Sequence, residues 1–160
     1  MSKIVAIYPI GNNRSRYLAL LKDGPGIRVY EFVDELGRHE TRDYLESLYK
    51  SSPRACVAFH RIIEEIANGG MQGVTEQKLR RCRDGLLEIK TTEGGGQRLF
   101  AFQYRGMGMG MSMVLVLTHG MKKPGRKRQG LAIKAAKKKV AKCIELLNRE
   151  GEKDDTHMVR

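Results

Sequence analysis

The stretch that decides the fold runs from Gly85 to His119 and reads GLLEIKTTEGGGQRLFAFQYRGMGMGMSMVLVLTH. It holds three runs of strand-forming residues, Gly85 to Thr92, Gln97 to Tyr104 and Ser112 to His119, each rich in branched or aromatic side chains. Glu93-Gly94-Gly95-Gly96 separates the first two and has the composition of a hairpin loop. Gly106 to Gly110, interleaved with Met107, Met109 and Met111, separates the second pair. It reads as a flexible loop, because thioethers alone bind few metals well. Connections this short make consecutive strands antiparallel neighbours.

Upstream, Ile27 to Val33 reads as a further strand, and the chain turns around Gly37. A helix is expected from Thr41, with Thr41 as its N-cap and Tyr44, Leu45 and Leu48 on its apolar side. Ser52 and Pro53 start a second helix as cap and first residue. There Val57, Ile62, Ile63 and Ile66 are expected on one broad face, and Asn68-Gly69-Gly70 ends it. Downstream, Gly130 to Arg149 reads as a helix that lays Ile133, Ala136, Val140, Ile144 and Leu147 on the sheet. Lys134, Lys138 and Lys142 fall on another line of it.

The expected order is β-α-α-β-β-β-α: an α+β domain with a small antiparallel sheet, two N-terminal helices and a C-terminal helix. Asp23-Gly24-Pro25-Gly26 is a breaker cluster that marks a boundary. Residues 1–26 then form an extension, with a short strand over Ile4 to Ile10 and a helical turn over Arg16 to Lys22. Residues 27–149 form the domain. Residues 150–160 form a polar, fraying tail.

Thirty Lys and Arg against eighteen Asp and Glu give a formal charge of +12 in 160 residues. Such a surplus favours polyanions such as RNA, DNA, ribosomes or anionic membranes and says little about fold. No apolar run is long enough to span a membrane, so none is expected as a partner. Cys56, Cys82 and Cys143 are odd in number, widely spaced and without metal-ligand patterning. They read as small buried residues in a reducing cytoplasm. Nucleophile-elbow, zinc-protease, Walker and dinucleotide signatures are missing from the sequence, and its four histidines are dispersed. No metal and no cofactor is expected.

Basic residues gather at one end of the expected sheet. Arg80, Arg81 and Arg83 precede its second strand, and Lys90 lies within it. Arg98 begins the third strand; His119, Lys122, Lys123, Arg126, Lys127 and Arg128 end or follow the fourth. Brought together, these residues could serve RNA cleavage. A 2′-hydroxyl attacks the adjacent phosphorus, fixed cations stabilise the more negative phosphorane, and Lys or His moves protons. Arg, always protonated, suits a phosphate clamp, and neighbouring cations would depress a Lys or His pKa. A charge run such as Lys122 to Arg128 is more often solvated surface, and alternate strand positions at Lys90 and Arg98 often face water.

The segments Leu79 to Lys90, Gln97 to Phe102 and Val114 to Pro124 resemble, in order, three motifs of the phage-derived HigB-like branch of the RelE/HigB toxin superfamily. Val29 to Phe32 and Tyr44 to Leu48 resemble that family's opening strand and first helix. The resemblance spans about residues 27 to 147. It implies a RelE-like fold and a type II toxin that cleaves mRNA without a metal, free or on the ribosome. It also implies a cognate antitoxin, which in that family often carries a helix-turn-helix. Carried over by position, Arg98 and Lys90 would stabilise the phosphate and transition state. Lys122 and Lys123 would bind the backbone or supply a proton, and His119 would act as acid or base. The chain departs from the pattern at Gln97, Lys90 and Met121, where the family has Tyr, Arg and Phe. Its loop after Gly120 is also a residue shorter. A non-catalytic RNA- or DNA-binding protein of the same fold is the alternative expectation, and a scaffold that binds only protein is a third.

Overall fold

Leu99 and Ala101 lie on one side of their strand, Phe100 and Phe102 on the other, and all four are buried. A strand with no wet face must be covered on both sides, and that requirement organises the molecule. The computed structural model describes residues 15–106 and 112–158. Its elements are β1 (Leu18–Lys22), β2 (Arg28–Phe32), α1 (Glu40–Ser51), α2 (Pro53–Gly69), β3 (Leu79–Arg81), β4 (Leu86–Thr91), β5 (Gln97–Arg105), β6 (Met113–Lys122) and α3 (Arg126–Met158). Short 3-10 turns cover Met71–Gly73, Arg83–Gly85 and Glu93–Gly95.

The strands form one six-stranded sheet in the order β1-β2-β6-β5-β4-β3. Helices α1 and α2 cover one face, packing Leu45, Leu48, Phe59, Ile62, Ile63 and Ile66 on Val29, Leu87, Ile89, Leu99, Leu115 and Leu117. Helix α3 covers the other, packing Ala136, Val140, Cys143 and Leu147 on Tyr30, Phe32, Phe100, Phe102, Val114 and Val116. The class is α+β, with three helices and a mixed sheet.

The expected strands at Ile27, Gly85, Gln97 and Ser112 are β2, β4, β5 and β6, within a few residues at each end. The sheet is larger than expected and not wholly antiparallel. β2 and β6 run parallel, with Tyr30 opposite Val116. Hairpin length orients strands adjacent in sequence, and these two lie more than eighty residues apart. Leu18 to Lys22 is a strand instead of a helical turn, because a short apolar run does not distinguish the two. β1 and β2 form an antiparallel hairpin around Asp23 to Gly26, so the assumed extension contributes to the main sheet. β3, three residues at the other edge, is a strand that the expected order did not include. The expected strand over Ile4 to Ile10 and most of the Met-Gly loop (107–111) lie outside the described residues.

The helices also differ in detail. Thr41 is a buried residue of α1, whose N-cap is His39. Ser52 and Pro53 are N-cap and first residue of α2, although the Ser52 side chain makes no capping bond. Val57 is 41% exposed, because 100° per residue turns it away from Phe59, Ile62 and Ile66. Helix α3 begins four residues before Gly130 and continues through residues 150–158, expected to fray.

Candidate nucleic-acid interface

Strand pairing places the basic side chains of the sheet end. Directly opposed residues share a face, about 5 Å apart. Lys90 on β4 pairs with Arg98 on β5, and Arg98 with Met121 on β6. One row further in, Arg80 on β3 pairs with Glu88, Glu88 with Phe100, and Phe100 with His119. Phe100 and Met121 belong to the core under α3, so both rows lie on that face. Lys90, Arg98 and His119 are therefore brought together on one surface, on three adjacent strands with Arg98 on the middle one.

Arg98 is held tightly. Its Nη1 donates to the backbone carbonyl of Gln97 at 2.8 Å and reaches that of Thr91 at 3.5 Å. Its Nε lies 3.9 Å from Glu88 Oε1, and the side chain is only 13% exposed. Glu88, a buried carboxylate, also has Arg80 Nε at 3.2 Å, in ion-pair range but misaligned for a hydrogen bond. One carboxylate thus faces two guanidiniums, with Lys90 beside them, and the group keeps a net positive charge.

His119 sits at an irregularity of β6. Phe100 pairs with His119 and Ala101 with Leu117, leaving Thr118 as the extra residue of a β-bulge. The His119 ring stacks on Phe100, centroids 5.1 Å apart. Its Nδ1 lies 2.9 Å from Thr118 Oγ1. Burial lowers its pKa below that of an ordinary histidine. The sequence suggested repulsion by neighbouring cations as the depressing force on such a group; at His119 it is desolvation.

The remaining candidates scatter. Lys122 pairs with Gln97, which bonds to Tyr44 of α1, so Lys122 belongs to the opposite face. Lys123 lies along Gly96, its N–H bonded to the Gly96 carbonyl at 2.9 Å. Arg81 pairs with Leu87 and also takes the α1/α2 face, away from Arg80. Arg83 is exposed in the turn before β4. Arg126, Lys127 and Arg128 form the exposed first turn of α3.

Several residues take structural roles that the sequence reading did not assign to them. Glu88 shares the face of Lys90 by the two-residue strand period, and that spacing was the available signal. Tyr44 donates its hydroxyl to Gln97 Oε1 and lies 3.2 Å from the Met121 carbonyl. Its ring occupies the space where a Cβ on Gly120 would sit, at 2.2 Å. Gln97 Nε2 donates to the Gly94 carbonyl at 2.9 Å. Gln97 and Gly120 thus lock the β4–β5 turn and the end of β6 to α1. Elsewhere, buried Glu31 takes Arg42 at 3.2 Å and His39 at 3.3 Å at the start of α1. The three cysteines are free, and burial raises their thiol pKa values, that of Cys143 to about 12, which makes them poor nucleophiles. Among the described residues no group of His, Cys, Asp and Glu could hold a metal ion, and no helix is long and apolar enough to cross a membrane. No family model and no curated protein matches the chain.

Proposed function

We propose that the chain is a metal-independent endoribonuclease, the toxin of a type II toxin–antitoxin pair of the RelE/HigB kind. One observation carries this reading: Arg98 sits on the middle strand between a strand bearing Lys90 and a strand bearing His119, all on one face. In-line displacement at phosphorus needs groups on opposite sides of the phosphate. Arg98 would hold the scissile phosphate and stabilise the charge that develops on it. The 2′-oxygen attacks phosphorus and passes its proton to neutral His119. The bond to the 5′-oxygen breaks, and that oxygen leaves with a proton from Lys90. The products are a 2′,3′-cyclic phosphate and a 5′-hydroxyl end. The cations supply the stabilisation that a metal supplies in other nucleases. Lys123 and the Arg126-Lys127-Arg128 turn, which follow β6 at this sheet end, would bind flanking phosphates of free or ribosome-bound mRNA. A cognate antitoxin would act by covering this sheet end.

The test is cleavage of RNA, with and without ribosomes, in EDTA. Cleavage is expected for the native chain and a loss of at least about 100-fold for Lys90→Ala/Arg98→Ala, with circular dichroism unchanged. Full activity in a folded double variant would refute the assignment.

The engagement of Arg98 favours a second reading, a nucleic-acid-binding protein without cleavage. Its guanidinium already serves two backbone carbonyls and lies near Glu88. That reading predicts salt-dependent RNA binding and intact transcripts.

A further inference from the structure

Thr118 is the extra residue of the β6 bulge and is 1% exposed. Its hydroxyl donates to the Phe100 carbonyl at 3.2 Å. The same oxygen lies 2.9 Å from His119 Nδ1. A hydroxyl has one proton and two lone pairs. With that proton given to a carbonyl, which can only accept, the oxygen can meet the imidazole only as an acceptor. Nδ1 must then carry the ring hydrogen, and in the neutral ring Nε2 is left with a free lone pair. We propose that Thr118 is a positioning residue that fixes His119 in its Nδ1–H form, so that Nε2 is the proton-accepting atom on the face shared with Arg98 and Lys90.

Three further features support the assignment. The Phe100 ring stacks on the imidazole and restricts its rotation. The bulge is what makes the contact: in regular strand, successive side chains point to opposite faces, and Thr118 and His119 could not meet. Burial keeps the ring neutral, the state in which its tautomer matters. The catalytic meaning of the assignment rests on the cleavage reading above, whereas the tautomer is a property of the folded chain alone.

The experiment is nitrogen-15 NMR of the full chain labelled at histidine, recorded above neutral pH, for the native protein, Thr118→Val and Thr118→Ser. His119 is expected to show a protonated Nδ1 and a bare Nε2 in the native chain and in Thr118→Ser. In Thr118→Val the ring is expected to shift toward the Nε2–H form. A bare Nδ1 in the native spectrum would overturn the proposal whether or not the valine variant folds, and so would an unchanged tautomer in folded Thr118→Val. If the native chain cuts RNA, kcat of Thr118→Val should fall about 10-fold, part of the roughly 100-fold or larger contribution of a general base. KM should hold, and the serine variant should recover the rate. If no variant cuts RNA while the tautomer follows residue 118, the positioning role stands and the nuclease reading alone fails.

Discussion

At Gly120 the absence of a side chain is a packing requirement. Gly120→Ala would drive a methyl into the Tyr44 ring, at about 1–3 kcal/mol of stability, read as a lower urea midpoint with unchanged slope. Glu88 makes a different kind of demand. Glu88→Ala leaves Arg80 and the mostly buried Arg98 without their carboxylate. We expect a loss of about 3 kcal/mol, the lower end of the range for a broken buried pair because Arg80 is partly exposed. RNA should bind more tightly to this variant in a low-salt titration, since a negative charge leaves the cationic face. His119 and His60 both have pKa values lowered by burial. The unfolded chain therefore takes up protons first as pH falls. The stability these residues contribute is complete above about 6.5, the ordinary histidine value, and is lost as pH falls through their lower folded values. Urea midpoints at pH 7.5 and pH 5 should differ in that direction. The rising limb of any cleavage rate against pH should also lie below about 6.5.

Among the elements, the β1–β2 hairpin shows how a loop is tied down. Its turn lies against the end of α2, and the Ala67 carbonyl accepts from both Gly26 and Ile27 N–H groups, at 2.8 and 3.1 Å. A helix end leaves such carbonyls unpaired, and here a neighbouring turn completes one. A Cβ on Gly24 would meet that carbonyl oxygen at 2.4 Å. Gly24→Ala should therefore displace the hairpin, with faster amide exchange in β1 than in β5 as the measurable result. Helix α3 is tied by two half-buried lysines, Lys137 to Asp84 and Lys139 to Glu40, while the exposed Lys142 approaches Glu35 at 3.7 Å. The line of Lys134, Lys138 and Lys142 stays exposed, and the bracing lysines lie beside it.

Across the whole molecule the charge is unevenly distributed. From Lys122 to Ile144 the chain carries ten cations, Lys122, Lys123, Arg126, Lys127, Arg128, Lys134, Lys137, Lys138, Lys139 and Lys142, and no carboxylate. Every one belongs to the end of β6, the turn that follows it or α3. RNA should therefore bind with a strong salt dependence. Removing Arg126, Lys127 and Arg128 together should reduce the log–log slope by about 2, at roughly 0.7 for each single-strand phosphate contact. An unchanged slope would show that this turn does not touch the nucleic acid.

Local chemistry was enough to read the main strands, the helix starts near Glu40 and Pro53 and the apolar seam of α3, because alternation, proline at a first turn and a 3.6-residue period act over a few residues. The same two-residue period would have put Glu88 on the side of Lys90, but nothing local marks a strand carboxylate as the partner of two guanidiniums. Which strands would be neighbours was decided only in three dimensions. The parallel β2–β6 pair, the place of β1 and the pairing of Lys90 with Arg98 depend on contacts between segments far apart in the chain, where sequence spacing exerts no force. Tertiary packing also separated the basic residues, sending Arg81 and Lys122 to one face and Arg98 and His119 to the other. Net charge records how many cations there are, whereas strand register and one bulge determine which of them can meet.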